Sequence, residues 1–312
     1  MLITKLIFFG TSPFAVPILE KLVEESGFKV LAVVTNPDES SGRKKILTSP
    51  PVKTTAKKHG IKIIQPEKLR SNPELFEVLK KINPDICIVA SYGKIIPKEY
   101  LEITKFGFIN VHPSLLPKYR GPTPIQTAIL NGEKETGVTV ILMDEEIDHG
   151  PILKIQNSKI KNQNYVGLEK ELSELGAKLL IETIPNLISG KIKPKDQDHD
   201  KATFTKKITR EDGKINWSDS AEKVLNQIRA LNPEPGTWTL WNGRDLKILE
   251  TKISDKEKEG APGTIFSDKT NLFIKTGGKW LEILKLQLSG KRITEAKEFL
   301  NSYSRINGYV LE

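Results

Sequence analysis

Cysteine is nearly absent from the 312 residues: Cys87 alone is present, so no intrachain disulfide can form. It sits in the apolar run Ile86-Cys-Ile-Val-Ala90, where a buried, inert thiol is expected and a nucleophile is not. No apolar run approaches the roughly 18 residues of a membrane span. The opening Met1-Leu-Ile-Thr-Lys-Leu-Ile-Phe-Phe-Gly10 has no cleavage site and reads as a first buried strand. A cytoplasmic protein is expected, with no membrane partner. A dinucleotide fingerprint is also missing, because Gly10-Thr-Ser-Pro13 follows the first strand where G-x-G-x-x-G would be needed. No Cys/His cluster has metal-ligand spacing, and no metal is expected.

What is abundant is positive charge. The formal net charge is +9, with 48 Lys and Arg against 39 Asp and Glu, and the surplus is spread over both halves. Such a balance suits a polyanionic partner, and it equally suits plain solubility. The length allows one or two domains of ordinary size.

The first half alternates strand and helix signals. Strands are expected at 6–9, 30–34, 61–64, 86–90, 108–112 and 138–143, and helices at 13–25, 52–59, 73–82 and 123–130. This succession implies an α/β fold with a doubly wound, mostly parallel sheet. Ligands of such sheets sit beyond the carboxyl ends of the strands, where Gly10, Tyr92, His112 and Asp144 are expected. A long amphipathic helix, 163–187, closes a first domain over residues 1–189. A polar, basic linker follows over 190–209. Residues 210–312 carry one helix, 220–231, and five short strands joined by Asn242-Gly243 and Gly277-Gly278 turns, the pattern of a small β-barrel of the oligonucleotide-binding kind.

The chemistry is placed in the stretch from Phe108 to Gln126. Phe108-Ile-Asn-Val-His112 alternates like a strand, so Asn110 and His112 share one face. Pro113 stops the ladder, having no N–H to donate, and Pro117, Pro122 and Pro124 keep the following segment out of regular structure. Asp148, in Asp144-Glu-Glu-Ile-Asp-His-Gly-Pro151, offers the acid partner, and Gly150-Pro151 the tight turn that brings its loop inward. Each residue alone has a bland role as a solvated or structural group. Together they are a carboxamide, an imidazole and a carboxylate at one sheet edge, a set suited to acyl transfer. His149 is left outside the mechanism.

Asn110, His112 and Ser114-Leu-Leu-Pro117 with Asp148 downstream resemble the signature of the folate-dependent formyltransferase family. Phe9-Gly-Thr-Ser-Pro-Phe-Ala-Val-Pro-Ile-Leu19, Tyr119-Arg-Gly-Pro-Thr-Pro-Ile-Gln126 and the basic insertion Gly42-Arg-Lys-Lys-Ile-Leu-Thr-Ser-Pro-Pro-Val-Lys53 are similar to the branch acting on methionyl-tRNA. The likeness covers essentially the whole chain, strongest over 8–150. It departs at Arg43-Lys44, where the family usually inserts a glycine, and at Glu234, where an aromatic residue is usual. The resemblance implies a Rossmann-like catalytic domain and transfer of formyl from 10-formyltetrahydrofolate to the α-amine of initiator methionyl-tRNA. Asn110, His112 and Asp148 would be catalytic, the first two as donors to the formyl oxygen. Ser114, Leu115, Leu116 and Pro117, with Ile95 and Asp144, would line the folate pocket. Arg43, Lys44, Lys45, Lys206 and Lys207 would meet tRNA, and the C-terminal barrel would bind it too. A monomer is the default. The alternatives are a sugar-nucleotide formyltransferase and a non-catalytic RNA-binding protein. Trp238, Trp241 and Trp280 are expected to pack the barrel.

Overall fold

A computed structural model describes residues 3–41, 46–268 and 270–311. The chain forms two compact units, the first made of Met1–Pro124, Glu135–Lys159 and Leu168–Thr205, the second of Ile125–Lys134, Ile160–Gly167 and Lys206–Glu312. Among the described residues no helix is long and apolar enough to cross a membrane.

In chain order the elements of the first half are β1 (Thr4–Gly10), α1 (Ala15–Glu24), β2 (Phe28–Val34), β3 (Glu39–Ser41), β4 (Ile46–Thr48), α2 (Pro51–Lys58), β5 (Lys62–Ile64), α3 (Pro73–Ile82), β6 (Ile86–Ala90), α4 (Lys98–Leu101), β7 (Phe108–His112), α5 (Pro124–Leu130), β8 (Glu135–Leu142), β9 (Ile152–Lys159) and α6 (Tyr165–Ile188). Local chemistry sets several of these bounds. Asn72 caps α3 by accepting from the Leu75 N–H, Pro73 takes the first helical position, and Asn83 ends the helix in the left-handed region.

The first unit is built on a seven-stranded sheet in the order β5-β2-β1-β6-β7-β8-β9. The first five strands run parallel, and β8 and β9 are antiparallel to their neighbours. β6 is buried at every position, as a central strand covered on both faces must be. Ile7, Phe9, Cys87 and Val89 face a core completed by Leu75 and Leu79 of α3 and Tyr100 of α4. On the other face α6 approaches so closely that a Cβ at Gly176 would lie 2.8 Å from Val111 and 3.8 Å from Ile18 of α1. Val111 therefore points at α6, and Asn110 and His112 point to the opposite side. Cys87 is fully buried, and that burial pushes its thiol well above the usual range.

Two expectations change here. The strand at the end of the first half is not one more parallel member: Ile109 pairs with Leu142 and His112 with Thr139, so the carboxyl end of β8 lies beside the start of β7. Asp144 consequently does not stand with Gly10, Tyr92 and His112 at one row of strand ends. β9 went unseen because Ile152-Leu-Lys-Ile-Gln-Asn-Ser-Lys159 is a half-exposed edge strand, rich in residues that sheets use little. In addition, two short strands that were not expected, β3 and β4, pair antiparallel with Glu39 opposite Thr48.

The second unit contains α7 (Ala221–Leu231), β10 (Thr237–Trp241), β11 (Arg244–Ser254), β12 (Ile265–Ser267), β13 (Leu272–Lys275), β14 (Trp280–Leu288), β15 (Thr294–Glu295) and α8 (Ala296–Ser302). Its antiparallel ladder runs β10-β11-β14-β13-β12, with β15 on β14. The end strands β10 and β12 do not pair with each other among the described residues, so the ladder is open, as in the partly open barrels of oligonucleotide-binding folds. Asn242 and Gly243, at φ +50° and +69°, form the two-residue turn between β10 and β11. Trp238, Trp241 and Trp280 are all at least nine-tenths buried, and Trp241 packs against Phe299, Tyr303 and Tyr309.

Candidate active site

β7 supplies the first two groups. Val89, next to last in β6, pairs with Asn110, so both side chains of interest emerge where the neighbouring parallel strands are ending. The chain then turns sharply, and the turn is pinned from β8. Thr139 Oγ1 donates to the Ser114 carbonyl at 2.7 Å and accepts from the Leu116 N–H at 3.1 Å. Ser114 Oγ donates to the Lys118 carbonyl at 2.7 Å. Tyr119 follows in the left-handed region, φ +62°, which aims its carbonyl at His112 Nε2, 3.0 Å away.

Asp148 comes in from the β8–β9 loop. A Cβ at Gly150 would lie 1.9 Å from the Leu142 carbonyl oxygen, so only glycine lets this loop fold back on its own strand. Asp148 itself is held at φ +50°, uncommon for a residue with a side chain. Its Oδ1 accepts from Asn110 Nδ2 at 3.1 Å and lies 3.4 Å from His112 Nδ1. Its Oδ2 accepts from the Gly121 N–H at 2.8 Å. The structure thus brings Asn110, His112 and Asp148 together, with His112 only 4 % exposed. One carboxylate has three neighbours, which fixes both its position and the plane of the imidazole.

The other residues singled out in the sequence fall at different places. Ser114 and Leu116 are buried beside the site, while the Ser114 carbonyl and Leu116 N–H are engaged by Thr139 instead of being turned outward. Leu115 and Pro117 are half-buried, and Ile95 is 70 % exposed. Asp144 bonds His149 Nδ1 at 2.6 Å and the Glu146 N–H, and His149 stacks face to face on His199 with centroids 4.0 Å apart. Lys206 is exposed and paired with Asp212 at 2.5 Å, and Lys207 is exposed. That pairing, reinforced by the Thr209 N–H, holds the Asp212 carboxyl down at about 2. Arg43, Lys44 and Lys45 lie outside the described residues.

Four residues that build the site were not foreseen: Thr139, Arg120, Gln197 and His199. Arg120 is 3 % exposed, and its Nε and Nη2 donate to Gln197 Oε1 at 3.2 and 2.7 Å. Gln197 Nε2 donates in turn to the carbonyls of Asp148 and Gly150 at 2.9 and 2.8 Å. No short-range signal announces a partnership between residues 49 or 77 positions apart. A glutamine inside a polar stretch reads as solvated, and that is how the sequence presents it.

Residues 4–184 match the family described as formyl transferase, and residues 207–304 match the formyl transferase C-terminal domain. The chain belongs to the formyl transferase family. It is 45 % identical over 310 residues to the methionyl-tRNA formyltransferase of Caldicellulosiruptor saccharolyticus, covering 98 % of this chain and 99 % of the relative. The enzyme of that name from Bacillus subtilis is 43 % identical over 300 residues, covering 95 % of this chain and 94 % of the relative. Among solved structures, the N-formyltransferase from Helicobacter canadensis in complex with folinic acid and dTDP-3-aminofucose has a TM-score of 0.66 at 23 % identity, over 90 % of this chain and 99 % of that one. HypX from Aquifex aeolicus in complex with tetrahydrofolic acid has a TM-score of 0.65 at 18 % identity over 98 % of this chain, which spans about half (48 %) of its length. These structural likenesses speak to the fold.

Proposed function

We propose that this chain transfers the formyl group of 10-formyltetrahydrofolate to the α-amine of methionine carried on initiator tRNA, acting in the cytoplasm as a monomer. The observation that carries this reading is the Asp148 carboxylate joined at once to Asn110, His112 and the Gly121 N–H. Likeness to methionyl-tRNA formyltransferases over nearly the whole chain supports the acceptor.

In this mechanism the neutral amine attacks the formyl carbon and its oxygen gains negative charge. The new N–C bond forms, the bond from carbon to N10 breaks, and the proton lost by the amine is returned to N10. Asn110 has a second N–H beside the one given to Asp148 and offers it to the oxyanion, a contribution typically of about 3 kcal/mol. His112 Nε2 faces the Tyr119 carbonyl, so it joins as a donor by exchanging that contact for the formyl oxygen. Asp148 holds the imidazole ring in place, and a remaining lone pair on its carboxylate takes the amine proton. Ser114 to Pro117, with Ile95 and Asp144, form the folate side, where apolar walls are expected. The part of the chain after the 190–209 segment, from 210 to 312, is the tRNA-binding domain. Arg43, Lys44, Lys45 and Lys207 contact phosphates, and Lys206 joins them by giving up Asp212.

The test is an acceptor panel with 10-formyltetrahydrofolate and the purified full chain: initiator methionyl-tRNA, elongator methionyl-tRNA, an amino-sugar nucleotide, and no acceptor. Formylmethionyl-tRNA formed on the initiator species is the expected outcome. Consumption of the donor with the sugar alone, or with none of the acceptors, overturns the proposal.

A further inference from the structure

We propose that Gln197, from the polar segment after α6, is a positioning residue that holds Asp148 in its reactive place; this rests on the catalytic reading of Asp148 above. The geometry is a closed circuit of hydrogen bonds. Asp148 Oδ2 receives the Gly121 N–H, Gly121 follows Arg120 in the chain, the Arg120 guanidinium grips Gln197 Oε1, and Gln197 Nε2 returns to the Asp148 carbonyl. Asp148 is therefore held by its side chain from one direction and by its backbone from the other. Gln197 also bonds the Gly150 carbonyl, so one amide fixes both ends of the Asp148-His-Gly turn.

The orientation of that amide is dictated by its neighbours. Two N–H donors of Arg120 meet the oxygen, and two carbonyls meet the NH2; reversing the group would set oxygen against two oxygens. Gln197 is 5 % exposed, and water is not at hand to replace it. The segment carrying it is itself fastened. Lys195 exchanges two backbone hydrogen bonds with Ile152, at 2.7 and 2.9 Å. Thr203 and Thr205 bracket Arg120: the Arg120 N–H donates to the Thr203 carbonyl at 2.8 Å, and the Thr205 N–H to the Arg120 carbonyl at 2.7 Å. Arg120 Nη2 also reaches His199 Nδ1 at 2.8 Å. The need for such an anchor is physical. A non-glycine residue at φ +50° relaxes out of that conformation unless its surroundings over-determine it. A displacement of about 1 Å at a reacting group can cost on the order of a hundredfold in rate.

The test is a double-mutant cycle on the full chain, with 10-formyltetrahydrofolate and initiator methionyl-tRNA as probes. Gln197→Ala is expected to lower kcat about tenfold or more while KM for both substrates stays within about twofold, because neither substrate is bound by this amide. In an Asp148→Asn background the same change is expected to cost less than about twofold, since Gln197 acts through Asp148. A residue that merely supported the fold would cost the same factor in both backgrounds. Gln197→Glu repeats the cycle if the alanine variant fails to fold: it keeps the acceptor that Arg120 needs and removes the donor to the two carbonyls. Equal losses in both backgrounds, or wild-type kcat for the Gln197 variants beside an inactive Asp148→Asn, overturn this inference alone. A near-wild-type rate for Asp148→Asn overturns the catalytic reading and this inference with it.

Discussion

The two units bury their polar groups in different ways. In the first, groups able to carry charge are taken inside and joined to one another: Arg120, His112 and the Asp148 carboxylate are linked through neutral amides and carbonyls. Among the described residues of the second, the fully buried polar side chains are neutral, as with Asn232 bonding the carbonyls of Ile228 and Ile248, and Arg229 brings a charge partly inside. Many of its charges lie outside in pairs such as Arg210–Asp245, Lys252–Glu282 and Lys285–Glu250. A buried chargeable network of this kind is not explained by stability, because hydrophobic replacements of the same shape would stabilise as well or better. Exposed pairs contribute little to folding, about 0–1 kcal/mol each, and leave cations where a polyanion can compete for them. The contrast is between a unit with linked, chargeable groups inside and one that keeps its ion pairs at the surface.

Substitutions should split along that line. Trp280→Ala should be the most damaging to stability, by about 3–5 kcal/mol, since the ring is 1 % exposed and its Nε1 donates to the Lys258 carbonyl. Thermal and denaturant unfolding measure this; a loss below about 1 kcal/mol would show the second unit's core to be less dependent on packing than its burial implies. Asp148→Asn should cost about 1–3 kcal/mol of stability, because its NH2 must face a donor that the carboxylate now satisfies, and reduce kcat by roughly a hundredfold or more. Single-turnover formylation reads that directly, and a rate within threefold of wild type would remove Asp148 from the mechanism.

Gly150→Ala probes the same site through the backbone alone. The added methyl would meet the Leu142 carbonyl oxygen at 1.9 Å, so the Asp148 turn must move; kcat should fall about tenfold or more although no functional group has been removed. Retained activity would mean that the turn tolerates displacement. Lys206→Ala should be nearly silent, weakening tRNA binding by less than about threefold at moderate salt, because its charge is already shared with Asp212. A tenfold loss would mark it as a dominant phosphate contact. Its partner makes the smallest prediction. The Asp212 carboxyl is lowered from an ordinary 3.8 to about 2, first by Lys206 and then by the Thr209 N–H. Its contribution to stability is therefore complete above about pH 4 and disappears as pH falls through 2. Asp212→Asn should flatten that acid limb slightly, a change that chemical denaturation at pH 2–5 can resolve.

Much of the first unit was legible in the chain. β6, β7 and α3 begin and end where the apolar runs and Pro73 place them. Asn110 and His112 share a face because a strand has period two. The direction of β8 was not legible, because Val138 to Leu142 reads equally well pointing either way. Nor was β9, whose exposed edge side chains hide its period.

The amino-acid sequence by itself determined the types of the strongly patterned elements such as β1, β6, β7, α3 and α7, the buried thiol, the spread of positive charge, and the pairing of carboxamide with imidazole two residues apart. Those features depend on neighbours along the chain, where backbone sterics and side-chain period decide the outcome. Tertiary structure alone decided that Asp148 meets Asn110 and His112, that Thr139 pins the Ser114 turn, and that Gln197 and Arg120 close the circuit behind it. Hydrogen bonds between groups tens of residues apart leave no period and no spacing in the sequence; only the folded backbone brings their donors and acceptors within 3 Å or so of each other.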